Sequence, residues 1–396
     1  MRRLDLRKAQ AARLNTIRDI NRQIVLNYVR EREPISRAEI ARETNLQRST
    51  ISAIVDALKT EDLVEEIGEG ESTGGRRPTL LRIRTKGAIA IGVAITPTRT
   101  TIATSDLAGR VVEQEEFLTD IDAGMTLNNV IARVKALSSR HSGIEAVGVS
   151  LPGLVDPATG TAVYVPYFKW RDIPIAEMIS TAVNKPVVID NDANAVALAE
   201  LWFGRPEVID ARDFILVLVA EGVGTGIIFD GQVYRGQRGA AGEFGHMIIG
   251  PHAPVPCSCG NRSCWEAFSS EGAAFARYEK LVGGGSVGKM GFKELVDLAL
   301  TGDPNAKAAL IETAHCLGIG ISNLVVGFSP EAVVVGGEIA RAWAFIEDAL
   351  TETIKQSIRR GLPSVTILPS TLGERPELRG ALSLVLAGKF AAAFAA

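Results

Sequence analysis

Cysteine is scarce in this chain. There are four in 396 residues, and three of them, Cys257, Cys259 and Cys264, fall within eight positions. So few cysteines argue against a fold stapled by disulfides, and nothing else in the sequence points to an oxidising compartment. Long apolar runs are missing as well. The opening MRRLDLRKAQAARL carries charges throughout and has no apolar stretch of the kind a secretory signal needs. The most apolar late segment, ALSLVLAGKFAAAFAA, is interrupted by Lys389 and is short for a membrane span. A cytoplasmic protein with no membrane partner is expected. Hydrophobic residues at 46% and charged residues at 22% are ordinary for a globular protein, and the length suffices for two or three domains.

Neither sign of charge is lacking, but the two are unevenly spread. Residues 1–86 hold 18 Lys+Arg against 13 Asp+Glu, a net of +5, while the remainder carries −8. A basic head on an acidic body suits an anionic partner at the N-terminus, although a modest positive surface is often only solvated. Within that head, Ile17, Ile20, Ile24, Val25 and Tyr28 recur at helical spacing and Pro34 closes the helix. Ser36 with Glu39 forms a capping-box pattern ahead of a second helix. Asn45 suits the turn, and a third helix from Arg48 to Thr60 points Ile51, Ile54, Val55 and Leu58 inward. Two short helices around a tight turn read as helix-turn-helix; a plain helical bundle is the competing reading. Gln47, Arg48, Ser49, Thr50 and Ser52 then stand where a recognition helix meets base edges and phosphates. LVEEIGEG and RPTLLRIR flank a Gly-rich loop as a β-hairpin, which makes the pattern a winged helix. Arg76 and Arg77 at its tip would reach duplex operator DNA, or simply be solvated.

From about residue 88 strands and helices alternate. IAIGVAI, TTIATSD and RVVEQEEF read as three strands, followed by AVGVSLPG and PVVIDND. A second set starts at FILVLVAEGVGTGIIFDGQVYRG and ends with AVVVGGE and VTILPS. The alternation predicts an α/β body over residues 87–396.

Residues 242–268, GEFGHMIIGPHAPVPCSCGNRSCWEAF, carry the most specific chemistry. Thiolate and imidazole are the ligands of a closed tetrahedral zinc, so His246, Cys257, Cys259 and Cys264 are the expected metal set. A disulfide is the alternative, but Cys257 and Cys259 are too close in sequence to bridge comfortably. The order G-E-F-G-H followed by C-x-C-G-x-x-x-C-x-E resembles the signature of the ROK family of repressors and sugar kinases. The N-terminal S-R-A-E-I-A and G-G-R-R-P are similar to the head of its repressors. This resemblance runs over nearly the whole chain. It implies an N-terminal winged helix-turn-helix followed by a duplicated actin-like (ribonuclease-H-like) sugar-kinase fold, with the zinc loop at 243–266.

The resemblance also implies a sugar site at Asn191, Asp192, Glu243, His246 and Glu266. The aspartate would be the base toward a sugar hydroxyl in a kinase, or a plain hydrogen-bond acceptor in a binder. Asp192 as a helix N-cap is the competing reading. His246 would ligate zinc through one ring nitrogen and face the sugar with the other. The family's kinases carry D-x-G-G-T after the first strand. Here Ala94 stands for the aspartate and Thr96-Pro97-Thr98 replaces the glycines, and Pro97 has no N–H to donate. Gly222, Gly224 and Gly226 remain in the second loop, where a hairpin turn would need glycine anyway. Tyr167, Phe168, Lys169 and Trp170 stand where the family often has an asparagine.

The expectation is therefore a regulator rather than an enzyme: a repressor of carbohydrate genes acting as a homodimer or homotetramer, answering to a sugar or sugar phosphate. A kinase with a DNA-binding head, and a regulator governed by a protein partner, are the alternatives.

Overall fold

The computed structural model describes residues 14–70, 77–85, 87–283, 290–357, 361 and 363–390; Arg76 lies outside them. The chain forms two compact units, one of residues 1–89, 105–112 and 386–396 and one of residues 90–104 and 113–385.

The first unit contains α1 (Leu14–Arg32), β1 (Ile35–Ser36), α2 (Arg37–Thr44), α3 (Arg48–Thr60), β2 (Val64–Glu69) and β3 (Thr79–Ile83), with its strands in the order β1-β3-β2. The capping box is formed. The Ser36 hydroxyl accepts from Glu39 N at 3.3 Å, and the Glu39 carboxylate accepts from Ser36 N at 2.8 Å. Asn45 takes the left-handed conformation, φ 56°, that turns the chain from α2 toward α3. As expected, α3 buries Ile51, Ile54, Val55 and Leu58. On α1 the buried residues are Val25, Leu26 and Val29, while Ile17 and Ile24 of the predicted apolar face stay exposed. The Arg37 guanidinium reaches Asp56 of α3 at 2.7 Å and Glu66 of β2 at 3.2 Å, and Lys59 meets Glu66 at 2.8 Å. These pairs tie α2, α3 and the wing into one piece. At the far end of the chain, Phe390 joins this unit: its carbonyl accepts from Asn27 Nδ2 at 3.0 Å.

The second unit holds two sheets of five strands. The first half runs β4 (Ala90–Ile95), β5 (Arg99–Ser105), β6 (Val111–Leu118), α4 (Ala123–Arg140), β7 (Ala146–Leu151), then β8 (Leu154–Asp156), β9 (Thr161–Val165) and β10 (Trp170–Ile173) as a small separate sheet. It closes with α5 (Ile175–Val183), β11 (Val187–Asn191) and α6 (Asp192–Phe203). The second half runs α7 (Pro206–Ile209), β12 (Phe214–Val219), β13 (Val223–Phe229), β14 (Gln232–Val233), α8 (Trp265–Ser269), α9 (Glu271–Leu281), α10 (Phe292–Thr301) and α11 (Pro304–Phe328). Then come β15 (Ala332–Gly336), α12 (Trp343–Ser357), β16 (Thr366–Pro369) and α13 (Pro376–Phe390).

The sheet orders β6-β5-β4-β7-β11 and β14-β13-β12-β15-β16 are the same order repeated, so the expected duplication is present. Strand β12, FILVLV, is buried along its whole length, as an interior strand paired on both sides must be. Edge strand β6 alternates, with Gln114, Glu116 and Leu118 exposed and Glu113, Glu115 and Phe117 half-buried between them, so its edge carries charge. Helix α11 is long and apolar enough to cross a membrane, yet most of it is buried. It packs on α12 and α9, and a Cβ at Gly320 would collide with the Trp265 ring.

Candidate functional site

The metal-type cluster assembles as the spacing predicts. His246 Nδ1 lies 3.3 Å from Cys257 Sγ, Cys257 Sγ lies 3.3 Å from Cys259 Sγ, and Cys259 Sγ lies 3.6 Å from Cys264 Sγ. The four ligand atoms all lie within 4.8 Å of one another. Sulfurs bridged as a disulfide would sit at about 2.05 Å, so no disulfide joins these cysteines and all four of the chain are free. One imidazole and three thiols converging on a point fit a closed, four-ligand metal site. Burial pushes the Cys257 thiol up, so a cation is what would hold it as thiolate. Residues 243–246 form a short 3-10 turn that carries both Glu243 and His246. Nδ1 faces the cysteines, and Nε2 lies 3.7 Å from Glu243 Oε2.

Next to this cluster is an open cleft. It is lined by all five expected sugar residues, Asn191, Asp192, Glu243, His246 and Glu266. Their roles differ. The N-cap of α6 is Asn191, not Asp192: Asn191 Oδ1 accepts from Ala193 N at 2.9 Å and Asn194 N at 3.2 Å, and its amide donates to Gly153 O at 3.0 Å. Asn191 is thus a positioning residue. Asp192 accepts at Oδ1 from Ala193 N at 2.8 Å and otherwise faces the cleft. Burial pushes its carboxyl up to about 6, and Glu221 and Glu243 add to the shift.

Glu266, almost fully buried, belongs to both sites. Oε1 accepts from Ser258 Oγ at 2.9 Å, Ser258 N at 3.3 Å and Cys257 Sγ at 3.1 Å, while Oε2 lies 3.4 Å from Val223 N.

Two acidic cleft residues, Glu221 and Glu377, are not among the expected site residues, and Tyr167, named among the aromatics after Pro166, lines the cleft as well. Of Tyr167, Phe168, Lys169 and Trp170, Tyr167 is the one that lines the cleft. Phe168 and Trp170 are buried and stack on each other at 4.7 Å, filling space. Glu221 sits in the glycine-rich AEGVGTG turn, and Glu377 belongs to no motif. Burial raises the carboxyls of Glu221 and Glu243, and pushes Glu377 up to about 7 with Asp192, Glu221 and Glu338 contributing. Glu271 is pushed up to about 8 by burial and by Glu221, Glu377 and Glu338.

The glycines of the second loop have packing reasons. A Cβ at Gly222 would collide with the Glu266 carboxylate and crowd the Tyr167 hydroxyl, and one at Gly226 would enter α6 at Ala193 and Ala197. The loop Thr96-Pro97-Thr98 is bonded to itself. Thr96 N donates to Arg99 O at 2.9 Å, Thr96 Oγ1 accepts from Arg99 N at 3.2 Å, and Thr98 Oγ1 lies 3.5 Å from Glu221 Oε1.

On the head, Gln47, Arg48 and Ser49 are exposed at the start of α3, with Thr50 and Ser52 half-buried beside them, and Arg77 is exposed at the wing. Gln47 makes no side-chain cap bond. The side chains of Gln47, Arg48 and Ser49 therefore stand free for an external partner.

Fold and cleft together define a two-lobed sugar-kinase-type body joined to a winged helix-turn-helix head. The chain belongs to the ROK family: residues 90–387 match the ROK family, and residues 24–77 match the MarR family of DNA-binding domains. It is 31% identical over 376 residues to the xylose repressor of Bacillus spizizenii, covering 93% of this chain and 96% of that one. The fold is similar to that of a ROK family transcriptional regulator described as a homolog of E. coli MLC protein. That match has a TM-score of 0.77 at 24% identity and covers 95% of this chain and 97% of that one. A ROK family glucokinase from Streptomyces griseus, solved with glucose and AMPPNP, matches at TM-score 0.68 and 30% identity over 75% of this chain and 98% of its own.

Proposed function

We propose that this protein is a sugar-responsive, DNA-binding transcriptional repressor of carbohydrate uptake or metabolism genes. Residues 1–86 would be its operator-binding head and residues 87–396 its sensing body. The observation that carries this reading is one chain joining a free, polar α3 start to a kinase-type sugar cleft whose first phosphate loop is bonded to itself. Gln47, Arg48, Ser49, Thr50 and Ser52 enter the major groove, and Arg76 and Arg77 neutralise phosphates. Paired heads of a homodimer or homotetramer suit a two-fold symmetric operator. Similarity to a protein named xylose repressor supports the repressor sign and a sugar effector. The DNA partner and four free thiols support a cytoplasmic setting.

The sugar sits on Asp192, Glu243, Glu266 and the Nε2 side of His246, with Asn191 fixing the α6 terminus. Zinc is the metal that the His246, Cys257, Cys259 and Cys264 set suits best; when bound it makes the cleft wall rigid. Chemistry on the sugar is not expected. A kinase needs free backbone N–H groups around the phosphates, and in Thr96–Arg99 two are spent inside the turn and Pro97 has none. Titration of labelled operator with and without sugar tests the reading: sugar should lower operator affinity.

A further inference from the structure

The proposed sugar cleft has one-sided charge. Asp192, Glu221, Glu243, Glu266 and Glu377 line it, and among the described lining residues there is neither a lysine nor an arginine. Its one other titratable nitrogen group, His246, faces the cysteines through Nδ1. The backbone features that usually hold an anion are already occupied. The first free N–H groups of α6 are capped by Asn191 Oδ1, and Ala193 N also meets Asp192 Oδ1. At the start of α13 a carboxylate, Glu377, points at the cleft.

Two guanidinium groups, Arg99 and Arg375, line an adjoining recess with Glu377. Both are committed to one partner: Arg99 to Glu116 Oε1 at 2.7 Å and Arg375 to Glu116 Oε2 at 2.9 Å. A phosphate ester entering the cleft would lose its hydration shell and meet carboxylates in place of donors. Sugar hydroxyls are donors, and a wall of acceptors suits them.

We propose that Glu221 and Glu377 are specificity-determining residues that restrict the cleft to uncharged free sugars and exclude sugar phosphates and nucleotides. This deepens the sugar-sensing reading and rests on it. It also gives the kinase-like body a second barrier to ATP, independent of the first loop. The site of the transferred phosphate in a kinase lies beside the sugar base, and here that neighbourhood holds Glu221 and Glu377 next to Asp192.

The experiment is equilibrium binding to the full-length, metal-loaded protein by calorimetry. The probes are glucose, xylose and N-acetylglucosamine, then glucose 6-phosphate, N-acetylglucosamine 6-phosphate and Mg-AMPPNP. The expected result is that the best free sugar binds at least about tenfold tighter than its own phosphate ester, with no binding of Mg-AMPPNP. In Glu221→Gln/Glu377→Gln, measured at about pH 8, that gap should narrow by at least about threefold, since each replacement keeps the shape and removes an ionisable carboxyl. Both single variants are measured alongside, so a double variant that fails to fold leaves the comparison standing. A phosphate ester that binds as tightly as its free sugar, or a gap that the substitutions leave unchanged, overturns the proposal while leaving sugar sensing intact. Binding of none of the six probes overturns the sugar-sensing reading and this proposal together.

Discussion

Glu266 Oε1 lies 3.1 Å from Cys257 Sγ, so a carboxylate of the proposed sugar cleft touches a cysteine of the candidate metal cluster directly. The same oxygen takes the Ser258 hydroxyl at 2.9 Å, one residue beyond that cysteine. The loop carrying Cys257, Cys259 and Cys264 therefore sets where the Glu266 carboxylate stands, and under the proposed function metal loading would bear on sugar affinity without any metal–sugar contact.

That relationship gives a first prediction. Purified protein should carry one zinc per chain by metal analysis. Cys259→Ser should release it, lower the melting temperature and weaken sugar binding by about 10–100-fold. Zinc-free protein with full sugar affinity would break the link.

Asp192→Asn should be more stable than the parent at neutral pH. Burial raises the folded-state carboxyl from 3.8 to about 6, so the native state holds a proton that the unfolded chain has given up. Asp192 therefore costs nothing below about pH 4, and it subtracts stability increasingly as pH rises to about 6. Urea unfolding between pH 4 and 7 should show a flatter profile for the variant, with a difference on the order of 2 kcal/mol at pH 7. The same variant should lose its response to sugar.

Most of the fold was legible because its signals are local. The capping pair Ser36 and Glu39, the turn at Asn45 and the inward face of α3 follow from short-range stereochemistry, and they appear where the spacing put them. Cys257, Cys259, Cys264 and His246 were legible because metal ligation restricts residue type and spacing together. Glu377 was not, since nothing around it in sequence marks it and only the packing of α13 brings it to the cleft. Asn191 and Asp192 were identified as a pair but their roles needed geometry: either side chain can cap a helix, and the hydrogen bonds assign the cap to Asn191. Ile17 and Ile24 fit the helical period yet stay exposed, because periodicity gives a face and not what covers it.

Removing the cap hydroxyl checks the head on its own terms. Ser36→Ala should destabilise the DNA-binding head by about 1 kcal/mol and leave sugar binding untouched. Hydrogen exchange at the start of α2 reads the effect.

Arg48→Ala should weaken operator binding about equally for good and poor sites, and reduce the salt dependence by about one counterion, if its contact is to phosphate. A loss confined to one base-pair position would reassign Arg48 to base readout. Gln47→Ala should instead relax sequence preference, as expected for a neutral side chain at the groove-facing end of α3.

The most direct measurement is a titration of labelled operator DNA with the full-length protein, with and without saturating free sugar. Asp192→Asn is run beside it, and ADP release is followed in the same samples with ATP present. The account predicts an operator affinity that falls by about 5- to 150-fold with sugar, or 1–3 kcal/mol of coupling. It also predicts little change for Asp192→Asn and no sugar-dependent ADP release from either protein. An operator affinity indifferent to every sugar tested, or ADP release at enzyme-like rates, would contradict it.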